Sequence, residues 1–164
     1  MRQAAEAQKM NTTKIAVNTD RFGELEVEAE KIIILKNPLL GFPKLYRFML
    51  LPHKGNSPFL WLQSLENPAL AFVVVHPSTL GISYRPSLDE RVRHELELAA
   101  DENPDLLLIL TIPRGRPEAM TANLLGPLAI NVRKRLGLQA VLDPRQYDAA
   151  WPILAKEEAC EGSN

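Results

Sequence analysis

The sequence predicts a mainly β fold, an antiparallel flattened barrel or sandwich of short strands with one inserted amphipathic helix. Three observations carry that prediction. Short apolar runs recur down the chain, each closed by a turn cluster such as "NPLLGFP" or "HKGNSP". Thirteen prolines in 164 residues argue against long helices. One segment alone changes period: Leu88, Val92, Leu96 and Ala99 recur at helical steps.

The elements follow in order. "KIAVNT" and "GELEVE" flank Asp20-Arg21-Phe22-Gly23 and read as a hairpin. "KIIIL" is a third strand, followed by a loop with two prolines. In "LYRFMLLP", Tyr46, Phe48 and Leu50 share a face. "FLWLQSL" and "LAFVVVHP" are buried-type strands stopped by proline. The helix spans about residues 87–100, with Ser87 and Glu90 forming an S-x-x-E capping box. "DLLLILTIP" and "LQAVLD" are further strands, so eight or nine are expected.

"MTANLLGPLAIN", Met120 to Asn131, carries a Gly-Pro pair inside an apolar run. The apolar residues keep a period of two across that pair, which favours one strand bent or bulged at Gly126. The even positions, from Met120 to Ile130, then face the core. The odd face holds Thr121, Asn123, Leu125 and Pro127, and Pro127 marks an edge or a bulge. Two readings of that face stand. It is a partner surface, or it is covered and Asn123 satisfies a local backbone group.

The chain is long enough for one self-sufficient domain, expected over 14–154, with a flexible extension at 1–13 and a polar tail at 155–164. Met10 is a second candidate start. Charged residues make up 24% and the formal net charge is −1, so no bulk attraction to nucleic acid is expected. Cys160 is the sole cysteine, which excludes an internal disulfide and a cysteine zinc site. No apolar run approaches the roughly 20 residues of a membrane helix, and no apolar signal segment opens the chain. A cytoplasmic location without membrane contact is expected.

Candidate chemistry is sparse. His53, His76 and His94 lie in three different elements without metal-ligand spacing. Ser57, Ser64, Ser78 and Ser83 lack a nucleophile-elbow context. Ser64 reads as a strand-end hydroxyl. The cations Arg133, Lys134 and Arg135 form a basic turn with no interleaved aromatic residue, so base stacking has no platform. Trp61 reads first as a core residue, second as an interface anchor.

"RFGELEV", "SPFLWLQSLENPALAFVVVHP" and "MTANLLGPLAIN…LGLQAVL", in this order and spacing, closely resemble the bacterial flagellar assembly factor family, FliW. The similarity runs from about Lys14 to Leu154 and keeps Tyr84 and Tyr147. The resemblance implies a small cytoplasmic β-barrel with no enzymatic activity and no cofactor. It implies two partners, flagellin and the translational repressor CsrA, whose binding is coupled. Thr121, Asn123, Leu125 and Pro127, extended by Phe59 and Gln63, are the expected partner-binding residues. A monomer or a weak homodimer paired through the open edge is expected. Two rivals from other classes are a flavin- or ligand-binding barrel enzyme and an RNA-binding module using the basic turn, and a narrower alternative is a flagellin chaperone without the regulatory role.

Overall fold

The computed structural model describes residues 13–154. The expected tails, apart from residue 13, fall outside the described residues. Eleven strands are present: β1 (Lys14–Thr19), β2 (Gly23–Glu28), β3 (Ile33–Leu35), β4 (Arg47–Pro52), β5 (Leu60–Ser64), β6 (Ala71–Val75), β7 (Asp105–Thr111), β8 (Thr121–Ala122), β9 (Leu128–Asn131), β10 (Leu136–Gln139) and β11 (Trp151–Pro152). Among the described residues one α-helix, α1, covers Glu90–Glu95, beside three short 3-10 turns. The two strands beyond the sequence expectation arise because Met120–Asn131 splits into β8 and β9, and because Trp151–Pro152 joins the sheet.

β1 and β2 form a separate antiparallel hairpin. The remaining strands follow the order β11-β8-β7-β6-β5-β4-β3-β10-β9, and β7 also pairs with β9. That last pairing closes seven strands, β3–β7, β9 and β10, into a barrel. All its ladders are antiparallel except β3 with β10, which run parallel. The mainly β class is as expected, with a mixed rather than purely antiparallel barrel.

Side-chain alternation sorts residues between the barrel interior and its outer face. Ile33, Phe48, Leu62, Val74, Leu107 and Leu128 meet inside and are essentially unexposed. Gly137 also faces inward. A Cβ there would lie 2.7 Å from Leu35 Cδ2 and 3.1 Å from Ile33 Cγ2, so a side chain at this position would push those two β3 residues aside. Three clusters cover the outer face. The hairpin packs Val17 and Val27 on Met49. Segment 80–84 and β11 cover Val75, Leu108, Leu110 and Ala122. Leu96, at the end of α1, packs on Ala129 and Leu138.

The helix is shorter than its expected span of 87–100. Its cap is Asp89, whose side chain accepts from the Val92 amide at 3.0 Å. The Ser87–Glu90 box does not form. Glu97 adopts φ 54° and ends the helical path. The Arg93 guanidinium then donates to the carbonyls of Ala99 and Glu102, at 3.1 and 2.8 Å, and holds the following turn.

Candidate partner surface

The Gly-Pro stretch shapes one part of the outer surface. β8 and β9 both run antiparallel along the same edge of β7, Ala122 opposite Leu110 and Leu128 opposite Leu107. Five residues therefore span a gap that two residues of β7 span, a wide bulge. The sequence reading of one bulged strand is right in direction. Its continuous phase is corrected. The three extra residues reverse the facing, so Ala122 joins the outer cluster while Leu128 and Ile130 point into the barrel. Both sets are buried, which is why the alternation looked unbroken.

The bulge is tied down locally. Asn123 Oδ1 accepts from the amides of Leu125 and Gly126 at 3.1 and 2.8 Å, the local-satisfaction reading of that residue. The ladder with β10 continues beyond β10 itself, through the Ala140 amide to Pro127 O and the Leu142 amide to Leu125 O, each 2.9 Å. Gln139 bridges the barrel mouth. Its Nε2 donates to Gly126 O, and its Oε1 accepts from the Leu40 amide, each at 3.0 Å.

Above the bulge, the Tyr84 hydroxyl donates to Leu124 O at 2.6 Å, and its ring meets Tyr147 edge-on at 5.6 Å. Burial, with Tyr147 beside it, raises the Tyr84 pKa well above the ordinary tyrosine value. Two of the surface cavities lined by Tyr147 adjoin the bulge. One of about 430 Å³ is lined by Ile82, Tyr84, Leu124 and Trp151. Another of about 510 Å³ is lined by Leu125 and the segment Pro144–Ala149. Half-buried apolar and aromatic side chains beside open cavities are the makings of a protein-binding surface.

The six expected partner residues do not form one face. Thr121, Asn123 and Leu125 are half-exposed at the bulge, but Pro127 is buried under the ladder with segment 140–142. Phe59 lies on the outer face beside Val75, with β6 and β7 between it and β8. Gln63 is 0% exposed. Its amide donates to the carbonyls of Ser64, Pro68 and Leu70, so it fastens the β5–β6 turn and offers nothing to a partner. The β8 edge left open for self-pairing by the sequence reading is occupied by β11. Tyr147 and Trp151, which complete the surface, come from a segment whose strand is only two residues long. Its only sequence signal was the tyrosine.

The other candidates resolve as structure. Ser64 Oγ accepts from the amides of Glu66 and Asn67, a strand-end role as expected. Trp61 is half-buried rather than core, with Arg21 stacked 4.3 Å from its ring centre and His53 against it at 5.8 Å. In the basic turn, Arg133 pairs with Glu102 at 2.9 Å and Lys134 with Glu97 at 3.0 Å. These pairings hold both carboxyls below their ordinary pKa, and they divert two of three cations from phosphate. Among the described residues, no group of three or more His, Cys, Asp or Glu is placed to hold a metal ion. No helix among them is long and apolar enough to cross a membrane.

The comparisons agree with this architecture. The family model described as FliW protein matches residues 15–153. A flagellar assembly factor FliW of Magnetococcus marinus is 40% identical over 82% of this chain and 82% of its own. That of Syntrophus aciditrophicus is 35% identical over 90% and 93%. A crystal structure of the flagellar assembly factor FliW superposes with a TM-score of 0.76 at 31% identity, covering 85% of this chain and 96% of that one. A family model over most of the chain, relatives of 33–40% identity covered over most of their length, and a matching barrel lead to one conclusion: the chain belongs to the FliW family of flagellar assembly factors.

Proposed function

We propose that the chain is a non-enzymatic cytoplasmic regulator that binds flagellin before export and, when free of flagellin, binds and antagonises the translational repressor CsrA. Flagellin synthesis is thereby coupled to its export. Membership in the assembly-factor family across residues 15–153 is the observation that carries this reading. The half-exposed surface of Thr121, Leu125, Tyr84, Tyr147 and Trp151 supports it, because an aromatic patch between cavities suits protein recognition. A specific complex buries about 1,200–2,000 Å² in total, so these residues are the centre of a larger patch.

The test is calorimetry of the purified full chain with flagellin and with CsrA of the same organism, each alone and then with the other present. Binding of both, each weakening the other, is expected. Leu125→Ala with Tyr147→Ala should weaken one partner about tenfold or more. Binding of neither partner overturns the reading.

A further inference from the structure

The segment Ile82–Leu88 has the pattern of a strand without a partner. Ile82, Tyr84, Pro86 and Leu88 are half-buried, while Ser83, Arg85 and Ser87 are exposed, a period of two. Ile82 and Tyr84 pack into the outer cluster on β7, and Leu88 packs beside α1. The Tyr84 hydroxyl adds the bond to Leu124 O. Side chains therefore hold this strap down. Its main chain is unpaired: no backbone amide or carbonyl from Ile82 to Leu88 bonds another described residue. Seven residues of open edge span about 23 Å.

We propose that this strap is a docking edge for an extended, acidic segment of flagellin, which adds to it as a strand. The inference rests on the flagellin-binding reading above and assigns it a place. Successive backbone groups in a strand point to opposite flanks. The flank shared by residues 82, 84 and 88 is interrupted at Pro86, which has no amide. The flank shared by Ser83, Arg85 and Ser87 keeps all three donors, so the added strand lies there. Charge sets the chemistry of the occupant. A cavity of about 470 Å³ beside the strap is lined by Arg85 and Arg93 and by no carboxylate. Neither arginine is in an ion pair among the described residues, and because Arg93 already donates to the Ala99 and Glu102 carbonyls, Arg85 supplies the main open charge. A carboxylate of the incoming segment completes that site with charge-assisted bonds. The cavity of Ile82, Tyr84 and Trp151 takes its apolar side chains.

The experiment uses the full chain and flagellin of the same organism. Calorimetry compares the wild type with Ser83→Pro, Ser87→Pro and Arg85→Glu, and flagellin tiled as short peptides identifies the segment. Hydrogen exchange follows the amides of residues 82–88. Each proline removes one donor from an edge that bonds nothing in the free chain, and circular dichroism checks that folding is intact. About tenfold weaker flagellin binding is expected for each proline variant and for Arg85→Glu. The binding peptides should contain Asp or Glu, and exchange should slow at Ser83, Arg85 and Ser87. Should any variant fail to fold, the wild-type exchange pattern alone decides. Flagellin binding with unchanged variant affinities and no slowing at those amides overturns the docking edge and leaves the flagellin reading standing. No binding of flagellin by the wild type overturns both.

Discussion

At the scale of single residues, two side-chain positions set sharp limits. Gly137 faces the barrel interior against Leu35 and Ile33. Valine suits a strand intrinsically, but here its methyl groups enter a filled core. Gly137→Val should cost about 1–3 kcal/mol, seen as a melting temperature several degrees lower. Tyr84 offers a second test. Its pKa is raised, by burial first and then by Tyr147. A raised pKa means this group's stabilising share is whole below its ordinary value near 10 and fades as pH rises further. Absorbance titration should show a tyrosine step well above the ordinary value, and Tyr84→Phe should abolish that step. Ser64 was legible in the sequence as a locally bonded polar residue, and for Asn123 that was one of two readings, because short side chains at strand ends and turns find nearby amides. Gln63 was not. A glutamine in an apolar strand looks the same whether it faces a partner or, as here, three carbonyls of its own turn.

At the scale of elements, the helix separates two rival caps. Asp89 bonds the Val92 amide, whereas Ser87 lies on the strap. Asp89→Ala should therefore cost about 0.5–2 kcal/mol in denaturant unfolding, and Ser87→Ala almost nothing. An equal effect from both would restore the longer helix. The sequence reading placed the cap at Ser87, and the structure moves it two residues on, to Asp89. Leu96 anchors the helix end on β9 and β10, and the left-handed Glu97 ends it early. The bulge shows a different limit. Alternation of apolar residues reports that both ends of Met120–Asn131 are buried. It does not report that they are buried on opposite sides of one sheet, because an odd insertion exchanges two faces that are both covered. Around the proposed partner surface, Leu125 and Thr121 are half-exposed as the sequence suggested, while the aromatic residues beside them arrive from Tyr147 and Trp151, far along the chain.

At the scale of the whole molecule, charge and closure decide behaviour. Arg133 and Lys134 clamp the β9–β10 turn to Glu102 and Glu97, on the segment after the helix. Both carboxyl pKa values are lowered, chiefly by the side-chain hydrogen bonds from these cations. Depressed carboxyls favour the folded chain above their ordinary value of 4.5 and lose that effect as pH falls through the depressed values. Melting temperature should decline in that acid window. Arg133→Ala with Lys134→Ala should shrink the part of the decline due to these pairs. Exposed pairs are screened, so about 1 M salt should act in the same direction as the double variant.

The parallel pairing of β3 with β10 sets the order in which the chain can mature. It joins Ile34 to Leu136, with nearly the whole barrel between them in sequence. Contacts of that separation make folding slow, since a long loop closes before it gains anything from closing. Strands β4–β7 stack as sequential neighbours, each antiparallel to the last, and are expected to form early. The interior of the sheet stays open to water until β9 and β10 arrive and lock both margins together. A chain emerging from the ribosome would then leave its apolar floor uncovered until β9 and β10 follow, and those two strands would be the clasp. Stopped-flow refolding should show an early gain of β signal followed by a slower burial phase, with Gly137→Val retarding the second phase.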